Sequence, residues 1–145
     1  MSGILSGIKV LDMSRVIAGP MTTQNLADMG ATVIKVEKPK EGDDTRRIGP
    51  FLQVHDESGQ MVDANDSAGF FAYNRGKKSI TLDIASPEGQ EMARKLADQC
   101  DVVIENYKVG TMARYGLDYD TLAKRNPKLV YCSITGFGQT GPMAK

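Results

Sequence analysis

The chain has 145 residues, 41% hydrophobic and 25% charged, the balance of one compact soluble domain and not of a disordered or fibrous polymer. Lys plus Arg and Asp plus Glu both number 18, so no global field draws nucleic acid or an anionic membrane surface. The start of the chain is not basic, no stretch of about 18 apolar residues occurs, and Cys100 and Cys132 lack metal or disulfide spacing, so export, membrane spanning and a bound metal are not expected and both thiols read as reduced, in a cytoplasmic protein.

Ile8 to Met13 is a short apolar, β-branched run and predicts the first strand. Gly19-Pro20 then opens a helix, because the missing proline N–H falls where an amide lacks a partner anyway, and Gly30 stops it just after Met29. Thr32 to Glu37 predicts the second strand. From Lys38 to Gly69, Gly, Pro and acidic residues recur without sustained periodicity, which reads as a long excursion covering a site or a partner subunit.

Ser79 to Asp83 predicts the third strand, and Ser86-Pro87-Glu88 supplies an N-cap, a first-turn proline and an acid at the positive end of the next helix. Met92, Ala93, Leu96, Ala97 and Cys100 share one face of that helix, at the spacing of a helix lying on a sheet, and Asp101 ends it. Val102 to Glu105 is the fourth strand. Thr111 to Tyr115 is a short helix closed by Gly116, Tyr119 to Arg125 another capped by Asp118, and Leu129 to Ile134 the fifth strand.

Alternation of strands and helices predicts right-handed crossovers, hence an α/β fold with a mainly parallel sheet and helices on its faces. Ligands in such sheets sit beyond the carboxyl ends of the strands, which selects Ser14 to Ala18, Glu37-Lys38, Asp83 to Ala85, Asn106 to Lys108 and Thr135 to Gly138. The helix opened by Gly19-Pro20 offers outward amides to an anion. Lys38, Arg75, Lys77, Lys78, Lys108 and Arg114 are expected on or near the same rim, which suits a polyanionic small ligand. Gly136 to Gly141 matches GxGxxG in letter only, since Pro142 follows instead of a helix. His55 has no serine or cysteine partner pattern and reads as a surface histidine; Asp43 to Arg47 reads either as a turn with exposed ion pairs or as a loop shaping an acyl pocket.

Gly7 to Asp12, Arg15 to Pro20 and Asp28 to Glu37 closely resemble the opening of class III (CaiB/BaiF-type) CoA-transferases. Gly42 to Arg46, Asn74 to Ile80, Asp101 to Tyr107 and Ile134 to Pro142 continue the resemblance in the family's order, over nearly the whole chain. It implies a Rossmann-like N-terminal domain, residues 1–145, with an incomplete C-terminal end, that binds coenzyme A or an acyl-CoA as substrate. It also implies an interlocked homodimer and an aspartyl mixed anhydride and thioester pathway between an acyl-CoA and a carboxylic acid. The family's aspartate would fall beyond Lys145, so no catalytic residue is expected here.

The same resemblance puts Val16, Ile17 and Ala18 at the thioester and pantetheine end, and Lys38 near the nucleotide in place of an arginine. Leu82, Asp83 and Ile84 would border the adenine, Asn106, Tyr107 and Lys108 would line the nucleotide and diphosphate, and Arg114 would supply a phosphate cation. Ala85, Ile17 and Ile48 depart from the lysine, glutamine and tryptophan of formyl-CoA transferases, which disfavours oxalate or formate and points toward members using succinyl-CoA with dicarboxylic acids. An acyl-CoA racemase fragment and a non-catalytic CoA-binding module are the alternatives.

Overall fold

The computed structural model describes residues 3–144. In chain order its elements are β1 (Lys9–Asp12), α1 (Ala18–Asp28), β2 (Thr32–Glu37), a 3-10 turn (Asp44–Arg47), β3 (Phe51–His55), β4 (Met61–Ser67), α2 (Ala68–Asn74), β5 (Lys78–Thr81), α3 (Pro87–Ala97), β6 (Val102–Glu105), α4 (Thr111–Tyr115), α5 (Tyr119–Arg125) and β7 (Val130–Ser133). Five strands form one sheet in the order β5-β2-β1-β6-β7, every neighbouring pair parallel, while β3 and β4 form a separate antiparallel ribbon.

Consecutive β1 residues Val10 and Leu11 are both fully buried, because both faces of the sheet are covered. Val10 packs with Val33 and Ile104 beneath Leu26 and Ala27 of α1. Leu11 packs on the other side with Val36 and Val103, beneath Ala93 and Ala97 of α3 and with Met112 and Leu122 of the later helices. Side chains as buried as Leu11 and Leu122 contribute ~1.5–3 kcal/mol each. Among the described residues no helix is long and apolar enough to cross a membrane.

The predicted strands and helices recur with shifted ends. β5 stops at Thr81, so Leu82 to Ile84 lie in the loop that follows it. α3 starts as expected, with Ser86 Oγ accepting from Gly89 N at 3.0 Å, but it ends at Ala97, and Met92 is 56% exposed because it lies on the solvent edge of the face formed by Ala93, Ala97 and Cys100. Asp118 precedes α5 without capping it: its carboxylate accepts from the Thr121 hydroxyl at 2.6 Å instead of from a backbone amide.

Residues 38–69 depart most from expectation. They contain the β3–β4 ribbon, whose Phe51, Leu52, Val54, Met61 and Val62 are all at least 36% exposed; with neither ribbon face buried, no apolar alternation marks it. α2, which had no predicted counterpart, follows directly and is capped by Ser67, whose Oγ accepts from Phe70 N at 3.0 Å and donates to Thr45 O. The Asp43–Arg47 stretch is not an exposed turn: Asp43 and Thr45 are buried, Asp43 pairs with buried Lys35 at 2.8 Å, and Arg46 pairs with buried Glu37 at 2.7 Å.

Candidate ligand site at the rim of the sheet

From β1 the chain moves outward through β2 to β5, then α3 carries it back past β1 to β6 and β7. Strand order thus reverses between β1 and β6, and the loops leaving those two strands diverge into a crevice. Asn106 stitches them together: its Nδ2 donates to Arg15 O and its Oδ1 accepts from Arg15 N, both at 2.8 Å.

The next residue, Tyr107, is fixed from below. Its backbone N–H donates to the buried Glu105 carboxylate at 2.7 Å, and the Ser133 hydroxyl holds the other oxygen of that carboxylate. Burial raises the Tyr107 hydroxyl above the usual phenol range against the pull of nearby Arg15, so it stays a neutral donor. The Arg15 guanidinium lies 5.0 Å from the centroid of the Tyr107 ring, a cation–π distance.

Tyr107 borders three cavities, and two of them lie along the loops that follow the strands. One, of about 200 Å³, has an apolar lining from Val36, Leu82, Ile84 and the Tyr107 and Tyr115 side chains, with Arg15, Lys38, Asp83, Glu37 and Asp43 as its charged groups, the last two neutralised by Arg46 and Lys35. That mixture suits a flat, partly apolar ring with anionic substituents. The other is an open groove of about 790 Å³ running along Asn106 to Val109 and Ile134 to Gly138, where Phe137 is 68% exposed.

The structure brings Lys38, Leu82, Asp83, Ile84 and Tyr107 around the smaller cavity, and Asn106, Tyr107 and Lys108 along the groove. Lys38 is exposed and ion-paired with Glu41 at 2.7 Å. Arg114 lies one residue from the cavity wall, its guanidinium 5.2 Å from the Tyr115 ring centroid. Val16, Ile17 and Ala18 stand on the same rim where α1 opens, with Val16 and Ile17 37% and 45% exposed, but line neither cavity. Arg15 falls within the stretch Ser14 to Ala18 selected after the first strand, though no role is assigned to it there, and nothing local marks Tyr115.

Three expected rim cations are engaged elsewhere. The Lys77 side chain is buried and donates to Asp12, Asn74 Oδ1 and Pro20 O, each at 2.9 Å; burial lowers its pKa despite the Asp12 carboxylate. Arg75 pairs with Asp28 at 2.7 Å, and Lys78 is the first residue of β5, away from that strand's carboxyl end. At the opening of α1 the chain supplies an anion of its own, since Asp43 accepts from Val16 N at 3.3 Å. Residues 134–144 form bends and turns with no helix, as the GxGxxG spacing without helical context predicted. His55 is exposed on β3 and lines neither cavity. Among the described residues no cluster of three or more His, Cys, Asp and Glu side chains is placed to hold a metal ion.

A parallel α/β domain with its cavities at the strand-order reversal is a small-ligand-binding class, and comparison with known proteins narrows it. The profile of CoA-transferase family III matches residues 5–145, and the chain belongs to that family. Over 97% of its length it is 56% identical to a succinate–glutarate CoA-transferase of Agrobacterium fabrum and 47% identical to a succinyl-CoA:glutarate CoA-transferase of Mus musculus. It spans only 34% and 30% of those two proteins. The crystal structure of a CAIB/BAIF family protein from Brucella suis superposes with a TM-score of 0.87 at 52% identity, covering 99% of this chain and 36% of that one.

Proposed function

We propose that residues 1–145 form the N-terminal CoA-binding domain of a class III CoA-transferase that moves CoA from an acyl-CoA donor, succinyl-CoA, to a dicarboxylic acid such as glutarate. The observation that carries this reading is the gathering of Lys38, Leu82, Asp83, Ile84 and Tyr107 around one cavity at the crevice, with Asn106 and Lys108 in the adjoining groove. Leu82 and Ile84 with the tyrosine rings suit an adenine, while Lys38, Lys108, Arg114 and Arg15 suit its phosphates. Val16, Ile17 and Ala18 take the pantetheine and thioester end.

In this reading an aspartate beyond Lys145 attacks the donor thioester carbonyl and expels CoA thiolate, leaving a mixed anhydride. The thiolate then attacks the aspartyl carbonyl, releasing the donor acid and forming an aspartyl thioester. The acceptor carboxylate attacks that thioester, and the thiolate returns to the acceptor acyl group and frees the aspartate. The described residues bind and orient CoA throughout. The names of the relatives support the succinyl and glutaryl assignment. The working form is a cytoplasmic, interlocked homodimer.

Calorimetric titration of the chain with CoA tests the site. Binding should weaken with added salt, and Lys108→Ala and Arg114→Ala should each lower affinity about 3–10-fold. Wild-type affinity in both variants would overturn the assignment. Succinyl-CoA offered with glutarate or oxalate to the longer protein tests the acceptor, with glutarate expected to be preferred.

A further inference from the structure

We propose that Asp43 is a positioning residue for the thioester end of the CoA site: its carboxylate, braced by Lys35, holds the Val16 peptide in the left-handed conformation with which the loop after β1 enters α1. The role at the thioester rests on the reading that Val16 to Ala18 face that end; the anchor itself does not.

Val16 has φ of 69°, in a region that β-branched side chains avoid because it strains the backbone. Such a conformation persists only where neighbours impose it, and here they do so group by group. Ser14 N donates to Asp12 Oδ1 at 3.0 Å, and Ser14 O accepts from Lys35 Nζ at 3.1 Å. Arg15 N and O are both bonded to Asn106, and Val16 N donates to Asp43 Oδ1 at 3.3 Å. Every backbone polar group from Ser14 N to Val16 N is thus held by a side chain. Gly19 also presses on Ser14: a Cβ there would lie 2.1 Å from Ser14 Cβ, so the loop has no room to relax toward the helix.

Asp43 is itself immobilised. Its Oδ1 accepts from Thr45 N at 2.9 Å and Thr45 Oγ1 at 2.7 Å, its Oδ2 pairs with Lys35 Nζ at 2.8 Å, and its own N–H donates to Glu37 at 2.9 Å. Burial opposes its charge, but Lys35 and Thr45 outweigh burial and keep the carboxyl below the usual range. A fixed, ionised acceptor therefore meets the one N–H that Val16 presents in its left-handed state. The 3-10 turn connects, through one carboxylate, to the place where α1 begins. An ångström of drift there matters, because misplacing a group against a reacting centre can cost up to about 100-fold.

Asp43→Ala alone strands the Lys35 ammonium in the interior, so the test removes both charges and varies only the acceptor. Lys35→Met/Asp43→Ala has no acceptor for Val16 N, whereas Lys35→Met/Asp43→Asn keeps an amide oxygen there. Both are checked for folding by circular dichroism and titrated with a stable thioether analogue of succinyl-CoA and with adenosine 3′,5′-bisphosphate, which lacks the pantetheine arm. Asp43 also borders the cavity assigned to the adenine, so the two pairs are compared with each other: the alanine pair should bind the thioether about tenfold more weakly than the asparagine pair, and the bisphosphate less than about twofold more weakly. An alanine pair that binds the thioether as well as the asparagine pair does, or whose deficit against it is as large for the bisphosphate as for the thioether, overturns the proposal.

Hydrogen exchange at the Val16 amide reads the anchor without any ligand. Protection should persist in the asparagine pair and vanish in the alanine pair, and unchanged protection in the latter overturns the anchor. A wild-type chain that binds neither ligand overturns the CoA reading, and with it the thioester role, independently of that measurement.

Discussion

Arg46→Met probes the charge pairing that ties residues 38–47 to the sheet. Glu37, 4% exposed at the end of β2, accepts from Arg46 Nε at 2.7 Å, Arg46 Nη2 at 2.8 Å, the Asp43 amide at 2.9 Å and the Ser79 hydroxyl. Burial alone would raise its carboxyl, but these donors, Arg46 foremost, win and bring it from 4.5 to about 2. A carboxylate depressed in the folded state stabilises fully above its unfolded value. That contribution fades as the pH falls from 4.5 through about 2, where folded and unfolded chains are both protonated.

The gap between those values amounts to ~3 kcal/mol near neutral pH. The Arg46 side chain is 27% exposed and partly screened, so its removal is expected to cost ~2 kcal/mol. Methionine keeps much of the contact with the Phe70 ring, whose centroid lies 3.6 Å from the guanidinium carbon, and this limits the packing loss. Urea unfolding followed by circular dichroism at about pH 7, 5 and 3 should show the wild-type advantage almost unchanged between pH 7 and 5 and much smaller at pH 3. An advantage constant across that range would refute the electrostatic account and assign the loss to packing.

Two further outcomes are expected. Gly89→Ala, although alanine is the better helix former by ~1 kcal/mol, should destabilise by ~2–3 kcal/mol, because its Cβ would lie 1.8 Å from Asp83 O; a raised thermal midpoint would contradict the close fit of α3 on that loop. The Cys100 thiol, 3% exposed and raised by burial and by neighbouring Asp101 to about 11, should react with a disulfide reagent only on unfolding, whereas half-buried Cys132 reacts first; equal rates under native conditions would contradict the burial.

The sheet was legible because its central strands β2, β1 and β6 are buried on both faces and so read as short apolar runs bounded by turn residues. β2 and β6 fall on the expected residues, as do α4 and α5. The switch-point rule was enough to direct attention to Lys38, Asp83 and Asn106, since chain order and parallel pairing alone decide which loops share a rim. The ribbon was opaque for the opposite reason: side chains exposed on both faces carry no period.

Lys77 and Lys38 look alike in sequence. Only the packing of α1 against α2 puts the first over Asp12 and leaves the second in water. Lys35 did carry a signal, as a cation inside the apolar run Thr32 to Glu37. Its partner Asp43 lies eight residues on, in the segment without pattern, so the pair could be identified only in three dimensions.

The position of β1 also fixes an order of events. It precedes the other four strands of this sheet in the chain, yet one flank waits for β6, and the bond from Lys9 N to Asp101 Oδ2 spans 92 residues. A nascent chain can zip β1 to β2 early, but the central strand stays half-paired until the polypeptide has grown past residue 105. Closure of that long loop, more than formation of any helix, should set the pace of folding, and during the delay the unpaired flank of β1 is the edge most in need of protection from other growing chains.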